Sequence, residues 1–87
     1  MGKFQGKRVE LIPQSGGFQL LKPGEYGKWT DGKWFGCTPN DHGCNLSAHD
    51  IIEHSDGTIT VSPSILVSDN RDAVWHGFLE QGIWRED

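Results

Sequence analysis

Short apolar runs separated by glycine-containing turns recur along the chain. Three of these turns lie between apolar segments of similar length, at Asp31-Gly32, Asp56-Gly57 and Gln81-Gly82. Glycine accepts the positive φ angle of a tight turn without steric cost, so each dipeptide predicts a β-hairpin. No segment repeats apolar residues with the period of 3.6 that an amphipathic helix requires. The pattern therefore predicts an all-β protein.

Two further apolar runs precede the first hairpin. Residues 9–13 (VELIP) and 18–21 (FQLL) are each followed by turn-forming residues, and they predict an N-terminal pair of short strands. Residues 1–8 are polar and basic, which is typical of a frayed, flexible chain end. The remainder, 9–87, is then a single β-rich domain.

The segments between the hairpins are expected to be connections. Residues 38–47 and 67–73 are rich in polar and turn-forming residues and predict loops. Pro63 cannot donate a hydrogen bond to a strand ladder, so it indicates an edge, a bulge or a strand break. Together the elements predict a small antiparallel sandwich or a partly open barrel, built from about three hairpins.

The last hairpin carries the densest set of large side chains. Residues 75–84 read WHGFLEQGIW, and a chain of 87 residues has room for one core that such side chains must fill. Strand alternation places Trp75 and Leu79 on one face and His76 and Phe78 on the other. One face is expected to fill the core, and the other can form an exposed patch of the kind that marks a partner site.

Charge is distributed unevenly along the chain, whose net charge is −4. Residues 1–36 hold six Lys or Arg against three acidic residues, whereas 37–87 hold two against nine. Nucleic-acid binding requires clustered Lys and Arg, so the acidic half argues against it. The contrast indicates either an ordinary solvated surface or an acidic face for a basic partner.

The chain has no run of about 20 apolar residues, which a membrane span requires, and no apolar secretory segment. The cytoplasm is therefore the expected compartment. In that reducing environment, cysteines are expected to be free or metal-bound rather than joined as a disulfide.

Two cysteines and four histidines raise the possibility of a structural zinc site, which needs four nitrogen or sulfur ligands. The candidate ligands are Cys37, Cys44 and His76, with His42 or His49 as the fourth. Their spacing does not match a paired Cys-x-x-Cys signature. The alternative is that these residues pack in the interior or lie in solvent.

Nucleophilic catalysis would require a side chain beside a base. Cys37 with His76 is one such pair, and Ser62 or Ser64 would supply a serine variant. No G-x-S-x-G motif surrounds these serines, and so small a domain leaves little volume for a substrate cleft. We therefore expect no catalysis.

Two co-occurring motifs carry a resemblance to a known family. The stretches EHSDGTITVSPSIL (53–66) and WHGFLEQGIWRE (75–86) resemble a family of small phage and prophage proteins of unknown function that share the pattern DGTITVSPSIL…WHGxLxxGxW. The resemblance implies action in the cytoplasm of an infected bacterium, but no particular reaction. It also implies that Cys37 and His76 are remnants of a zinc cluster of larger relatives.

These observations predict a non-catalytic protein-binding module that engages a host bacterial protein, for example as an inhibitor of an anti-phage defence protein. No membrane partner is expected, and the pattern gives no oligomeric state. A zinc-stabilised domain or a metal- or thiol-dependent enzyme, built on the two cysteines and His76, is the alternative. The candidate contact residues are Trp34, Glu53, Asp56, His76 and Phe78.

Overall fold

The computed structural model describes residues 2–69 and 72–87, and within these ranges the chain forms eleven β-strands and no helix. The strands are β1 (Lys3–Gln5), β2 (Lys7–Arg8), β3 (Pro13–Gln14), β4 (Gly17–Phe18), β5 (Glu25–Lys28), β6 (Trp34–Cys37), β7 (Gly43–Asn45), β8 (Asp50–Glu53), β9 (Ile59–Asp69), β10 (Asp72–Glu80) and β11 (Ile83–Glu86). The described part of the chain thus contains no helix that could span a membrane.

The strands form two main sheets and one small ribbon. The five-stranded sheet has the order β1-β11-β10-β9-β8, and the four-stranded sheet has the order β2-β5-β6-β7. The ribbon is β3-β4. The predicted all-β class is confirmed, and the described strands form separate sheets rather than a closed barrel.

All three predicted hairpins are present, as β5–β6, β8–β9 and β10–β11. Each turn contains a glycine with positive φ, namely Gly32 at 88°, Gly57 at 90° and Gly82 at 78°. In the last turn Gln81 also has a positive φ of 48°. Two successive positive φ angles are the signature of a type I′ turn, whose twist matches that of the flanking strands.

The two longest strands, β9 and β10, pair with each other in a fourth hairpin. The predicted loop over 67–73 is wrong for 67–69 and 72–73, which continue these strands, and residues 70 and 71 lie outside the described part of the chain. The predicted loop over 38–47 similarly contains β7. Polar composition misleads here because backbone groups, not side chains, form the ladder.

The pairing of β9 with β10 is irregular around Pro63. Gly77 pairs with Ile65 and Leu79 with Val61, so residues 62–64 lie opposite Phe78 alone. Of the three alternatives raised by Pro63, the structure therefore has a bulge within a long central strand. A bulge leaves extra residues outside the ladder and changes where their side chains point.

The N-terminal segment crosses from one sheet to the other. β1 pairs with β11, and after Gly6 the chain continues as β2, which runs parallel to β5. The Gly6 N–H donates to the Gly82 carbonyl at 2.8 Å. The prediction of a flexible end over 1–8 thus differs from the structure, because residues 3–8 are held through the backbone while their side chains stay exposed.

The predicted strand pair at 9–13 and 18–21 is shorter than expected. Only Pro13–Gln14 and Gly17–Phe18 form the ribbon. Residues 9–12 lie outside any strand, although the Val9 N–H donates to the Tyr26 carbonyl at 2.9 Å. Leu11 is buried against Gly27, where a Cβ would lie 2.8 Å from a Leu11 methyl carbon. Leu11 therefore packs onto the four-stranded sheet, whereas Ile12 is exposed.

The core lies between the two main sheets. It contains Tyr26, Trp34, Leu46, Ile59, Val61, Ile65, Trp75, Leu79 and Trp84. Trp75 and Trp84 pack edge to face with ring centroids 5.5 Å apart, so the expectation that they belong to the core is confirmed. The Trp84 indole N–H donates to the Gly24 carbonyl at 2.9 Å and so links the five-stranded sheet to the chain entering β5.

We predict that Gly6→Ala destabilises the protein by about 1–3 kcal/mol, the usual cost of overpacking a tight site. A Cβ at this position would lie 2.5 Å from the Gly82 carbonyl oxygen and 3.1 Å from the Trp84 indole nitrogen. The backbone of the crossing segment would therefore have to move away from both. Urea denaturation gives the free energy of unfolding that tests this.

Gly43→Ala is the matched control. Gly43 also lies in a strand, but a Cβ there would have no neighbour within 4 Å. Its stability is expected to stay within about 0.5 kcal/mol of the wild type, as for most surface substitutions. Equal stabilities of the two variants would contradict a structural role for the crossing segment.

Candidate functional site

The five-stranded sheet has one face against the core and one toward solvent. Trp75, Gly77 and Leu79 are buried while His76 and Phe78 alternate outward, as strand alternation predicts. The solvent side of the sheet carries Ile52, Ser64, Leu66, His76, Phe78 and Ile83. We call this surface the outer face.

Apolar side chains are unusually exposed on the outer face. Leu66 is 59% exposed and Ile52 is 57% exposed. Leu66 pairs directly with His76 across β9 and β10. A solvent-facing side of an antiparallel sheet is ordinarily polar, so this surface departs from the expected composition.

On the outer face, His76 lies between Ser64 and Asp87. His76 Nδ1 lies 3.2 Å from Asp87 Oδ2, and His76 Nε2 lies 3.1 Å from Ser64 Oγ. The Ser64 contact is a hydrogen bond, and the Asp87 carboxylate lies at ion-pair distance from the ring. When Nδ1 carries the proton, Nε2 is free to accept from the Ser64 hydroxyl.

Hydrogen bonds to main-chain carbonyl groups hold Asp87 and Ser64 in place. The Asp87 N–H donates to the His76 carbonyl at 2.9 Å, which extends the β10–β11 pairing by one residue. On the other side, His49 Nε2 lies 3.1 Å from the Ser64 carbonyl oxygen. Because a carbonyl only accepts, His49 donates from Nε2. The positions of Ser64 and Asp87 around His76 are thus fixed by the sheet.

Charged groups surround the aromatic part of the outer face. The Arg85 guanidinium lies 4.6 Å from the Phe78 ring centroid and bonds the Glu80 carboxylate at 2.9 Å. The Phe78 and His76 ring centroids are 6.5 Å apart. Phe78 is consequently covered on one side by a cation and faces His76 on the other.

A shallow pocket opens beside Ser64. Its lining residues are Thr60, Val61, Ser62, Pro63, Ser64, Phe78 and Glu80. The pocket exists because the bulge at Pro63 sets residues 62–64 outside the regular ladder with β10. Its lining therefore combines apolar side chains with two serines, Ser62 and Ser64.

Trp34 and Glu53 lie in a different cluster, at the edge where β8 meets the four-stranded sheet. Arg8 bonds Glu53 at 2.9 Å and the Gly57 carbonyl at 2.9 Å, and its guanidinium lies 5.0 Å from a Trp34 ring centroid. Lys28 approaches the same carboxylate at 3.9 Å. The hydrogen bond from Arg8, followed by the positive charges of Arg8 and Lys28, lowers the pKa of Glu53.

Asp56 caps its own turn. Its Oδ1 accepts from the Thr58 N–H at 3.0 Å and from the Thr58 hydroxyl at 2.6 Å. These hydrogen bonds lower the pKa of Asp56. They also explain why an aspartate precedes Gly57, since a short side-chain acceptor satisfies a backbone N–H of the turn.

The structure therefore divides the five predicted contact residues. His76 and Phe78 lie together on the outer face, whereas Glu53 belongs to the Arg8 cluster and Asp56 to the neighbouring turn. Trp34 is only 6% exposed and belongs to the core. These three residues do not join His76 and Phe78, because Trp34 belongs to the other sheet, Glu53 is paired with Arg8, and Asp56 caps its own turn.

The two cysteines lie on the adjacent strands β6 and β7, with Gly36 opposite Cys44 and Cys37 opposite Gly43. Both are free thiols. Burial, with the Asp41 hydrogen bond and charge, raises the pKa of Cys37 to about 11. Burial also raises the pKa of Cys44 to about 12. A nucleophilic thiol requires the opposite shift.

The candidate zinc ligands are spread over both sheets. Cys37 and Cys44 belong to the four-stranded sheet, whereas His76 is engaged with Ser64 and Asp87 in the five-stranded sheet. Among residues 2–69 and 72–87, no three His, Cys, Asp or Glu side chains form a group suited to a metal ion. The zinc site stays a sequence prediction.

Comparison with known proteins identifies no relative of this chain. No family model, curated protein or solved structure matches the chain. The resemblance to phage proteins therefore stays a prediction that rests on the two quoted motifs.

Asp87 is the site residue that the sequence patterns do not single out. A signal for it exists in the last hairpin, because the two-residue turn at Gln81-Gly82 pairs Glu80 with Ile83. Counting outward from this pair brings Asp87 opposite His76. Arg8 has no comparable local signal, since 45 residues separate it from Glu53.

We predict that Glu53→Gln destabilises the protein near neutral pH and loses this effect in acid. The pKa of Glu53 in the folded state lies below its ordinary value of 4.5, so its ionised form stabilises the fold. That contribution is present above pH 4.5 and disappears as the pH falls through the folded-state pKa. Urea denaturation of both proteins at several pH values measures the difference.

Glu10→Gln provides the comparison, because Glu10 is exposed and its carboxylate forms no ion pair with any residue in 2–69 or 72–87. The stability difference between this variant and the wild type is expected to vary less with pH. If the two variants track each other from neutral to acidic pH, Arg8 does not stabilise the fold through Glu53.

We predict that both cysteines react slowly with iodoacetamide in the folded protein. Raising a thiol pKa from 9.0 to about 11 or 12 leaves about 100- to 1000-fold less thiolate at pH 8. Intact-mass spectrometry of the native and urea-unfolded protein compares the rates. Faster alkylation of either cysteine in the native state would instead favour a thiol enzyme.

Proposed function

We propose that the protein is a protein-binding module and that the outer face contacts the partner. The observation that carries this proposal is the exposure of Leu66 opposite the half-buried His76, with Phe78 next along the same face. Ile52 is also exposed on this side of the sheet. Exposed apolar side chains rimmed by polar groups are typical of protein interaction sites. Here the rim consists of charged side chains, which include Glu80, Arg85 and Asp87.

The outer face also has the rigidity that favours binding. It is built on β9 and β10, the two longest strands, and its central side chains are held by neighbours. Phe78 packs under Arg85, and His76 is fixed by Ser64 and Asp87. Side chains that are already ordered lose little entropy when they bind.

The partner that fits this surface is a folded protein with an apolar patch and hydrogen-bonding groups around it. The outer face presents Phe78 beside Arg85, and both phenylalanine and arginine are enriched at protein interfaces. The resemblance to phage proteins supports a host bacterial protein as the partner, and a component of anti-phage defence is the form that we favour.

We predict that Leu66→Glu weakens partner binding at least tenfold, because it places a charge in the middle of the apolar contact. The protein, immobilised and exposed to bacterial lysate, yields a partner that mass spectrometry identifies. Calorimetry with that purified partner then compares the wild type with the variant. Circular dichroism confirms that the variant remains folded.

Leu20→Glu is the matched control. Leu20 is 96% exposed but lies in the segment that packs beside the four-stranded sheet, away from the outer face. It should leave the affinity unchanged. Loss of binding in Leu20→Glu with full affinity in Leu66→Glu would contradict the proposed surface. A dimer of the protein itself that Leu66→Glu dissociates would show that the outer face binds a second copy instead.

A further inference from the structure

We propose that Ser64, His76 and Asp87 form a serine acyl-transfer site that hydrolyses small, uncharged carboxylic esters. This goes beyond protein binding and beyond the expectation that the protein has no catalysis. It stands on the two distances from the His76 ring, 3.1 Å to Ser64 Oγ and 3.2 Å to Asp87 Oδ2. A hydroxyl, an imidazole and a carboxylate in this order are the parts of an activated serine nucleophile.

Each member of the site has a distinct role. The negative charge of Asp87, 3.2 Å from His76 Nδ1, favours the tautomer protonated at Nδ1, whose Nε2 accepts the proton of Ser64. Ser64 stays accessible because it belongs to the bulged segment 62–64, and His49 holds its carbonyl at 3.1 Å. His76 is half-exposed, so a substrate can reach the serine beside it.

The shallow pocket next to Ser64 provides the place for the acyl group. Val61, Pro63 and Phe78 line it with apolar surface, which suits a short alkyl chain. The Ser62 hydroxyl lines the same pocket and supplies a donor for the oxygen that becomes negative in the transition state. The one charged residue among the described lining, Glu80, is an acid already bonded to Arg85, so the lining offers no cation for an anionic acyl group, which is why we specify uncharged esters.

The reaction balances without any further reactant except water. Ser64 Oγ attacks the ester carbonyl carbon while its proton moves to His76 Nε2, and the carbonyl electron pair moves to oxygen. Collapse of the tetrahedral intermediate breaks the bond to the leaving alcohol, which takes the proton from His76. Water then repeats the sequence on the acyl-serine, with His76 as base, and releases the carboxylic acid and free Ser64.

The test uses p-nitrophenyl acetate as substrate and a fluorophosphonate as a covalent serine probe. The wild type is expected to release p-nitrophenol and to carry the phosphonyl adduct on Ser64, as located by peptide mass spectrometry. Ser64→Ala should lose the adduct and fall to the background rate. His76→Gln should lower the rate about 100-fold or more, the usual contribution of a general base.

Ser68→Ala is the matched control, because Ser68 is an exposed serine on the same strand, paired with Ala73. It should retain both the rate and the adduct. An adduct on another residue, no adduct on the wild type, or hydrolysis by Ser64→Ala within twofold of the wild type would overturn the proposal. Adduct mapping on the wild type needs no variant, so a folding defect in Ser64→Ala does not affect it.

Discussion

The indole of Trp84 imposes the constraint on which the rest of the structure depends. Its ring is fully buried, and a buried N–H without a partner would cost about 1–3 kcal/mol. The Gly24 carbonyl supplies that partner at 2.9 Å, and Trp75 packs against the ring at 5.5 Å. Gly36 leaves room for it, since a Cβ there would already lie 3.3 Å from the ring. The spacing of the two sheets follows from these contacts.

Features that depend on neighbouring residues were predictable from the sequence. The three glycine turns and the outward positions of His76 and Phe78 follow from local turn chemistry and strand alternation. The N-terminal strands were not predictable in this way, because β1 and β2 pair through the backbone and keep polar side chains in solvent. Their place depends on Gly82 and Gly24, which lie far away along the chain.

The candidate site, too, was predictable from the sequence only in part. The outward position of His76 was predictable, but its contacts with Ser64 and Asp87 depend on register and on the bulge at Pro63, which composition does not reveal. The charge contrast between the two halves of the chain also acquires a structural explanation. Arg8 and Lys28 come from the basic half and neutralise Glu53 of the acidic half. Part of the charge asymmetry therefore provides ion pairs between the two sheets, rather than a surface for a basic partner.

The pairing of β1 with β11 has a consequence for how the molecule assembles. Lys3 lies opposite Arg85, so one of the ladders closes a loop of nearly the whole chain. Closing such a loop costs conformational entropy before the contacts between the paired strands can offset it. Proteins dominated by pairings between distant segments therefore fold in milliseconds to seconds rather than microseconds. During synthesis, the ladder of Lys3–Gln5 cannot form until Ile83–Glu86 has left the ribosome. The first described strand therefore waits for the last one, while Lys7–Arg8 can already pair with β5.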